Sequence, residues 1–140
     1  MFQNQVIDFI NANRSTKSFG FEGNHLKMYL TWAFSFDYLF IVFENNEIVG
    51  VGVAYPLKRP YNGDKFTLFV FNEIVPPSEE HKHELCIMDL VAVTDSARKT
   101  LVKNFQQRYP NWQNQKKWGL RDEETKEISN QYINLLNKID

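Results

Sequence analysis

The sequence has few of the features on which disulfide-bonded, metal-binding or membrane-spanning proteins depend. Its 140 residues include one cysteine, which excludes an intramolecular disulfide and suits a reducing compartment. It contains neither CxxC nor HExxH, the spacings that most often hold zinc. No segment approaches the ~18 consecutive apolar residues of a spanning helix, and the N-terminal residues lack the pattern of a signal peptide. We therefore expect a cytoplasmic protein with no membrane span.

Neither sign of charge predominates in the chain. The 16 Lys and Arg residues nearly balance the 17 Asp and Glu residues, and the formal net charge is −1. Such a balance gives no general attraction to nucleic acid or to an anionic membrane. The basic side chains around Arg98, Lys99 and Lys103 are most simply the solvated face of a helix. Nucleic acid is therefore not among the expected partners.

Aromatic residues, by contrast, are abundant. They make up 15% of the chain, with 12 Phe, and such rings are either buried or line a groove or an interface. The hydrophobic content of 43% is ordinary for a globular protein, and 140 residues are enough for one domain with a substantial core. We therefore expect residues 1–140 to form a single domain, and protein partners that bind an aromatic surface remain one option.

The apolar pattern predicts helices and strands in the order α-α-β-β-β-β-α-β-α. The predicted helices are 2–13, 25–34 and 97–108, with a last one from Asp122, and the predicted strands are 38–43, 47–55, 66–74, 85–93 and 116–120. We expect Asn24 to cap the second helix and residues 78–84 to form an exposed charged connection. A hairpin followed by a strand–helix–strand crossover predicts a mixed α/β (α+β) sandwich, with helices flanking a mostly antiparallel mixed sheet.

Two glycines lie two residues apart in the second strand of the predicted hairpin, EIVGVGVAY. Gly50 and Gly52 occupy alternate positions and therefore share one face of that strand. Because neither has a side chain, this face has room for another backbone, a helix or a ligand.

The stretch from Glu84 to Tyr109 changes from a strand pattern to a helix pattern across Thr94, Asp95 and Ser96, which we call the hinge. A strand that runs into a helix N-terminus is where α/β proteins often place an anion or a cofactor phosphate. The hinge has no glycine, so its backbone amides are less able to approach a phosphate. The carboxylate of Asp95 could cap those same amides, and it would repel a pyrophosphate.

The hairpin IVFENNEIVGVGVAY, the strand DLVAV and the helix SARKTLVKNF, behind two leading helices, resemble the GNAT family of N-acetyltransferases. EIVG at 47–50 is similar to the second hairpin strand of that family, and RYPNW at 108–112 is similar to small GNAT-like proteins of phages. The resemblance covers about residues 1–121 and is one of topology more than of motif. It implies transfer of an acetyl or acyl group from acyl-coenzyme A to an amine, by direct attack without a covalent intermediate.

The same resemblance implies where acetyl-coenzyme A would lie. The donor would occupy the space between the strand ending at Val93 and the helix starting at Ala97, held by backbone amides of the strand and the hinge. The implied cofactor-binding residues are Val91, Val93, Thr94, Ser96, Ala97, Arg98 and Lys99.

The chain departs from the family at one important point. The family's pyrophosphate loop, Arg/Gln-x-x-Gly-x-Gly/Ala, is absent before the helix. A GNAT-like protein without this loop could instead be a catalytically degenerate structural or interaction protein, such as a phage virion or assembly component. Backbone amides at the hinge that are free to bind a ligand would favour the enzyme. Amides that already donate hydrogen bonds to the Asp95 carboxylate would favour the structural role.

The candidate catalytic residues are Asp89, Glu73 and Tyr109. Asp89 interrupts an apolar strand, so it is either a general base with a raised pKa or the structural partner of a cation. The candidate cations are Arg98, Arg59 and Lys58. Glu73 ends a predicted strand near the cleft that the resemblance implies, and Tyr109 is a candidate general acid.

Other reactive side chains favour structural roles. Cys86 begins an apolar strand, where a buried thiol is commoner than a nucleophile. His81 and His83 could ligate a metal together with flanking carboxylates, but a solvated charged loop is the simpler interpretation. His25 stands at a predicted helix start, which favours a surface or capping role over that of a general base. No metal site is predicted.

Overall fold

The computed structural model describes residues 2–14, 23–69, 74–121 and 124–138. Its helices are α1 (Phe2–Asn13), α2 (Gly23–Ser35), α3 (Asp95–Arg108) and α4 (Asn130–Lys138). Its strands are β1 (Leu39–Glu44), β2 (Glu47–Pro56), β3 (Leu85–Ala92), β4 (Lys117–Arg121) and β5 (Glu124–Glu127). Short 3-10 helices cover Lys65–Leu68, Pro77–Lys82 and Trp112–Asn114. Within these ranges, every helix is too short or too polar to cross a membrane.

The strands form one sheet in the order β1-β2-β3-β4-β5. Neighbouring strands are antiparallel except β3 and β4, which are parallel and are joined by the crossover helix α3. A hairpin next to such a crossover is what the sequence predicted, so the mixed α/β class is confirmed.

Helices cover both faces of the sheet. α1 and α2 pack on one face, in a core that includes Tyr29 and Val53. α3 and α4 pack on the other face, where Ala54, Phe105 and Ile133 belong to a second core. The central strands β2 and β3 are therefore covered on both sides, which explains their nearly continuous apolar sequences.

Helix α3 occupies the room that the two glycines of β2 leave. A Cβ atom on Gly50 would lie 3.1 Å from Leu101 Cδ1 and 3.4 Å from Ala97 Cβ. On Gly52 the same atom would meet its nearest neighbour, Leu101 Cδ2, at an ordinary 3.5 Å. Of the three expected occupants of this face, the structure therefore shows a helix, and its closest approach is at Gly50.

The turn between β1 and β2 lies at Asn45 and Asn46, which both have positive φ angles, 52° and 65°. Two successive residues in this conformation are typical of a type I′ hairpin turn, and Asn tolerates it better than most residues. The predicted hairpin, with its turn between the strands 38–43 and 47–55, is therefore confirmed.

The predicted strand 66–74 is wrong over the residues that the structure describes. Lys65–Leu68 forms a 3-10 helix, because the Asp64 carboxylate accepts a hydrogen bond from the amide of Phe66 at 3.0 Å and starts a tight turn. The Phe66 side chain is 66% exposed, so its apolar character does not mark a core position here. Residues 70–73 lie outside the described part of the chain.

The last helix begins later than predicted. It starts at Asn130 instead of Asp122, and Glu124–Glu127 forms β5, whose pairs with β4 run from Trp118↔Glu127 to Arg121↔Glu124. An acidic run suits a helix start, but the edge of β4 that faces away from β3 offers backbone hydrogen bonds to a strand. The described elements therefore follow the order α-α-β-β-β-α-β-β-α.

Two smaller expectations also need correction. Helix α2 begins at Gly23, so Asn24 lies inside the helix and not at its cap. The connection 78–84 is not simply exposed, because Glu80 is 7% exposed and its carboxylate lies 2.6 Å from the Arg108 guanidinium. A buried carboxylate needs such a partner, and this ion pair ties the connection to the end of α3.

Candidate functional site

The parallel strands β3 and β4 part shortly after they begin to pair. Their register covers Leu85↔Lys117, Cys86↔Trp118 and Ile87↔Gly119, yet β3 continues to Ala92. A cavity of about 690 Å³ lies where they separate, and we call it the cleft. It is lined by Asn13, Arg14, residues 87–92, Gly119, Leu120, residues 126–129 and Tyr132. Parted parallel strands thus leave an opening in the middle of the sheet.

A β-bulge lies at the point of separation. In the pairing with β2, Val53 faces Asp89 and Ala54 faces Ile87, so Met88 is an extra residue in β3. A bulge bends its strand and lets two successive residues turn toward the same side. Met88 belongs to the core under α1 and α2, and the Asp89 carboxylate contacts residues of that same layer. The bulge therefore explains why a charged side chain can enter the core side at the cleft.

The Asp89 carboxylate is held by two partners. Arg14 donates from Nε to Oδ1 at 3.1 Å and from Nη2 to Oδ2 at 3.0 Å, and the Tyr29 hydroxyl donates to Oδ2 at 2.7 Å. Burial raises the pKa of Asp89, while Arg14 and the Tyr29 hydrogen bond act to lower it, and the net direction is upward. The cation that meets Asp89 is thus Arg14, at the end of α1, and not Arg98, Arg59 or Lys58.

The hinge uses its own side chains to satisfy the start of α3. The Thr94 hydroxyl accepts a hydrogen bond from the Ala97 amide at 3.0 Å, as an N-cap does. Asp95 instead contacts the guanidinium of Arg98 at 2.8 Å, and Arg98 Nε donates to the Leu136 carbonyl at 3.3 Å. Asp95 is therefore not the cap that the sequence allowed, because Thr94 makes the observed side-chain cap and the Asp95 carboxylate pairs with Arg98.

A second cavity, of about 430 Å³, lies at the hinge and we call it the hinge cavity. It is lined by Leu90, Ala92, Val93, Thr94, Asp95, Arg98, Tyr132 and Leu136. Leu90, Ala92 and Tyr132 also line the cleft, so the two spaces adjoin along the end of β3. A long ligand could therefore extend from the cleft to the start of α3.

The residues implied as cofactor-binding are only partly brought together. Val91 lines the cleft, and Val93, Thr94 and Arg98 line the hinge cavity. Ala97 is fully buried against Gly50. The remaining two, Ser96 and Lys99, lie on α3 outside the lining of these cavities.

Tyr109 and Asp89 occupy different environments. Tyr109 follows the last residue of α3, roughly 20 Å along the helix axis from the hinge. Its hydroxyl donates to the Ala54 carbonyl at 2.7 Å, and burial raises its pKa well above the usual value for tyrosine. Glu73 lies outside the described residues. Of the two predicted catalytic residues that the structure describes, Asp89 is the one that lines the cleft.

Cys86 and the histidines have the surroundings of structural side chains. Cys86 is fully buried, and burial raises the pKa of its thiol to about 12, so little thiolate forms near neutral pH. His83 Nδ1 lies 2.8 Å from the Leu57 carbonyl oxygen. Among the described residues, no group of three or more His, Cys, Asp or Glu side chains is arranged to hold a metal ion.

Sequence reasoning missed the partners of Asp89. Arg14 is 75 positions away from Asp89 and Tyr29 is 60 positions away, so no local pattern links them. The interrupted apolar strand did signal that a cation must be close, because a buried carboxylate without a partner is costly. The identity of that cation depends on how α1 packs across the sheet.

Comparisons with known proteins add no family to this description. A scan of protein-family models found none that matches the chain, and searches of curated proteins and of solved structures found no match either.

Proposed function

We propose that this protein is a GNAT-like acyltransferase that binds an acyl-coenzyme A in the cleft and transfers its acyl group to an amine. The observation that carries the proposal is the separation of β3 and β4 after Ile87 and Gly119, with a bulge at Met88. The cleft volume of about 690 Å³ lies within the range of about 300–1,000 Å³ that is usual for small-molecule sites.

The parted strands suit the pantetheine arm of coenzyme A. Beyond Ile87, the pairing between β3 and β4 ends, although β3 continues to Ala92. An extended chain that carries amide groups can add to such a strand edge through backbone hydrogen bonds. The arm is extended and contains amides, so we expect it to lie along residues 88–92 with its thioester near the bulge.

In this proposal Asp89 receives the proton of the attacking amine. The amine nitrogen forms a bond to the thioester carbon, the bond from that carbon to sulfur breaks, and coenzyme A leaves as a thiolate, which then takes up a proton from solvent while Asp89 returns its proton to solvent. The raised pKa of Asp89 favours proton uptake, since the ideal pKa of a general base lies nearer neutrality than that of an ordinary aspartate. Arg14 and Tyr29 would orient the carboxylate, and Asp89 must exchange one of their contacts for the amine.

The hinge cavity is the place for the pyrophosphate. Arg98 lines it, and a guanidinium is well suited to contact phosphate oxygens. The pairing of Arg98 with Asp95 opposes this role, because the pyrophosphate has to replace or outweigh a carboxylate at 2.8 Å. We therefore expect weaker donor binding than a glycine-rich phosphate loop would provide.

The same hinge contacts favour a second candidate function. With the Ala97 amide bonded to Thr94 and Arg98 paired with Asp95, groups that could bind phosphate already have partners within the chain. A GNAT-like protein in this state could act as a structural or interaction protein. Exposed rings at Phe34 and Phe66, which are 54% and 66% exposed, would then contribute to protein contacts.

Isothermal titration with coenzyme A and acetyl-coenzyme A separates the two candidates. We expect micromolar binding that Arg98→Gln weakens, because the variant removes the charge at the hinge cavity. Lys103→Gln is the matched control, since Lys103 is an exposed basic residue on the same helix. Absence of both heat and thermal stabilisation at millimolar ligand would reject the acyltransferase and leave the interaction protein.

A further inference from the structure

A small apolar pocket lies beside the cleft, between the sheet and the helices α3 and α4. Its volume is about 50 Å³. We call it the apolar pocket, and it is lined by Phe40, Val53, Ala54, Ile87, Asp89, Leu90, Leu101, Val102, Phe105, Ile128, Tyr132, Ile133 and Leu136. Asp89 is the exception among these apolar and aromatic residues, and its carboxylate is bonded to Arg14 and Tyr29 of the opposite layer. The pocket is therefore suited to hydrocarbon and not to a polar group.

The small residues of β2 explain why the space exists. Gly50, Gly52 and Ala54 alternate along the strand, and α3 approaches most closely at Gly50, where Leu101 fills the room. Ala54 belongs to the core formed by α3 and α4, but it contributes only a methyl group there. Helix α3 therefore fills the space above β2 at Gly50 but leaves a space beside Ala54 unfilled.

The apolar pocket and the cleft share one wall. Ile87, Asp89, Leu90, Ile128 and Tyr132 line both spaces. Leu90 is 39% exposed and Tyr132 is 37% exposed, so these two side chains are accessible at the boundary. A ligand group that enters the cleft near the bulge is therefore next to a hydrocarbon-lined space.

We propose that the apolar pocket receives the aliphatic chain of the acyl group, so that the donor is a short-chain acyl thioester longer than acetyl. This inference rests on the proposed function. One water-sized sphere needs about 10–15 Å³, so the pocket of about 50 Å³ holds roughly three to five atoms of a chain. A butanoyl group fills that space, whereas an acetyl group leaves most of it empty.

Isothermal titration with coenzyme A, acetyl-coenzyme A and butanoyl-coenzyme A tests the inference. Butanoyl-coenzyme A should bind roughly tenfold more tightly than acetyl-coenzyme A, because two more methylene groups are buried. Ala54→Val fills the pocket and should remove this preference while the affinity for coenzyme A itself stays unchanged. Val49→Ile adds a methyl group on the same strand outside the pocket lining and should keep the preference. Leu136→Phe is a second filling variant in case Ala54→Val does not fold.

The outcomes distinguish the inference from the proposed function. If coenzyme A binds and chain length has no effect, the acyl pocket is rejected while the cleft assignment stands. If no coenzyme A derivative binds, the acyltransferase is rejected, and the acyl assignment of the pocket with it. Titration with 1-butanol, followed by the methyl NMR signals of Val102 and Ile133, then tests the pocket alone. Saturable shifts that Ala54→Val abolishes support a hydrocarbon site, and their absence overturns it.

Discussion

The two ends of the β3–β4 pair differ in how their polar groups are used. At the paired end, formed by Leu85–Ile87 and Lys117–Gly119, Lys117 Nζ donates to the carbonyls of Trp112 and Gln115 and to Asn130 Oδ1, at 2.6 to 2.8 Å. At the parted end, formed by residues 88–92 and 120–121, the strands separate around the cleft of about 690 Å³, which the hinge cavity of about 430 Å³ adjoins.

This difference indicates which end carries stability and which end leaves open space between the strands. A strand pair fully bonded at one end can diverge at the other without losing its register. Binding regions are commonly the less tightly packed parts of a fold. The exception is the contact of Asp89 with Arg14 and Tyr29, which is a dense polar cluster at the parted end.

The largest expected effect is a loss of stability when Arg14 is removed from the cluster that it forms with Asp89 and Tyr29. Arg14→Met should lower the free energy of unfolding by about 3 kcal/mol, because it leaves the Asp89 carboxylate buried without its cation. Urea denaturation measures the loss, and Lys58→Met, at an exposed site, should cost less than about 0.5 kcal/mol. The double variant Arg14→Met with Asp89→Leu should recover much of the stability. A small loss in the single variant would show that the parted end needs no such anchor.

Lys117→Met tests the paired end. The substitution leaves the carbonyls of Trp112 and Gln115 without the donor that they share, and we expect a loss of about 2 kcal/mol in urea denaturation. Lys103→Met is the control at an exposed lysine on α3 and should change stability by less than about 0.5 kcal/mol. Equal losses in the two variants would contradict the assignment of stability to the buried lysine.

Alanine substitutions at the two glycines of β2 can be compared to test how closely α3 packs on that strand. Gly50→Ala should cost about 1 kcal/mol, because its Cβ would lie 3.1 Å from Leu101 Cδ1 and the leucine would have to move. Gly52→Ala has its nearest neighbour at 3.5 Å and should be neutral or slightly stabilising, since alanine restricts the unfolded chain. Thermal denaturation of both variants gives the comparison, and the reverse order would place the closest approach of α3 elsewhere.

Asp89 gives stability a dependence on pH. Because burial raises the pKa of Asp89 above 3.8, the folded state binds this proton more tightly than the unfolded state. Proton binding by Asp89 therefore contributes fully to the free energy of unfolding below pH 3.8. This contribution is lost as the pH rises through the folded-state pKa of Asp89. The unfolding free energy of the wild type, minus that of Asp89→Asn, should fall from about pH 3.5 to 7. A rise would show that the ion pair with Arg14 outweighs burial.

The smallest expected effect concerns the hinge. Asp95→Asn releases Arg98 from its ion pair and removes a charge that repels phosphate, so coenzyme A should bind a few-fold more tightly. Because the Asp95 side chain is 57% exposed, we expect little change in thermal stability. Asp64→Asn, at an exposed carboxylate outside the cavity lining, is the control for titration calorimetry. Weaker binding in Asp95→Asn would contradict the proposed phosphate position.

Local sequence patterns predicted much of the fold. Asn45 and Asn46 specify a turn through their tolerance of positive φ, and α3 (Asp95–Arg108) covers the predicted helix 97–108. Where the pattern was ambiguous, tertiary contacts decided the result. The acidic run that begins at Asp122 suits a helix start, but Glu124, the member of the run that the structure describes, pairs with β4 and belongs to β5.

Less of the candidate site than of the fold could be predicted from the sequence. Asp89 was recognisable, because a carboxylate within an apolar strand requires an explanation. Neither the bulge at Met88 nor the end of pairing at Ile87 has a local signature, since both depend on register with neighbouring strands. The sequence made Asp95 a candidate for the cap, whereas Thr94 caps α3 and Asp95 accepts a hydrogen bond from Arg98.

The buried thiol of Cys86 can be used to measure how often the paired end of β3 and β4 opens. Cys86 pairs with Trp118 at the paired end and has no exposed surface, so a thiol reagent reaches it only when that end opens. The alkylation rate at low denaturant therefore measures the opening of the region that holds the two strands in register. A second cysteine introduced at the exposed Val93 would carry a fluorophore at the hinge cavity while the native thiol stays protected.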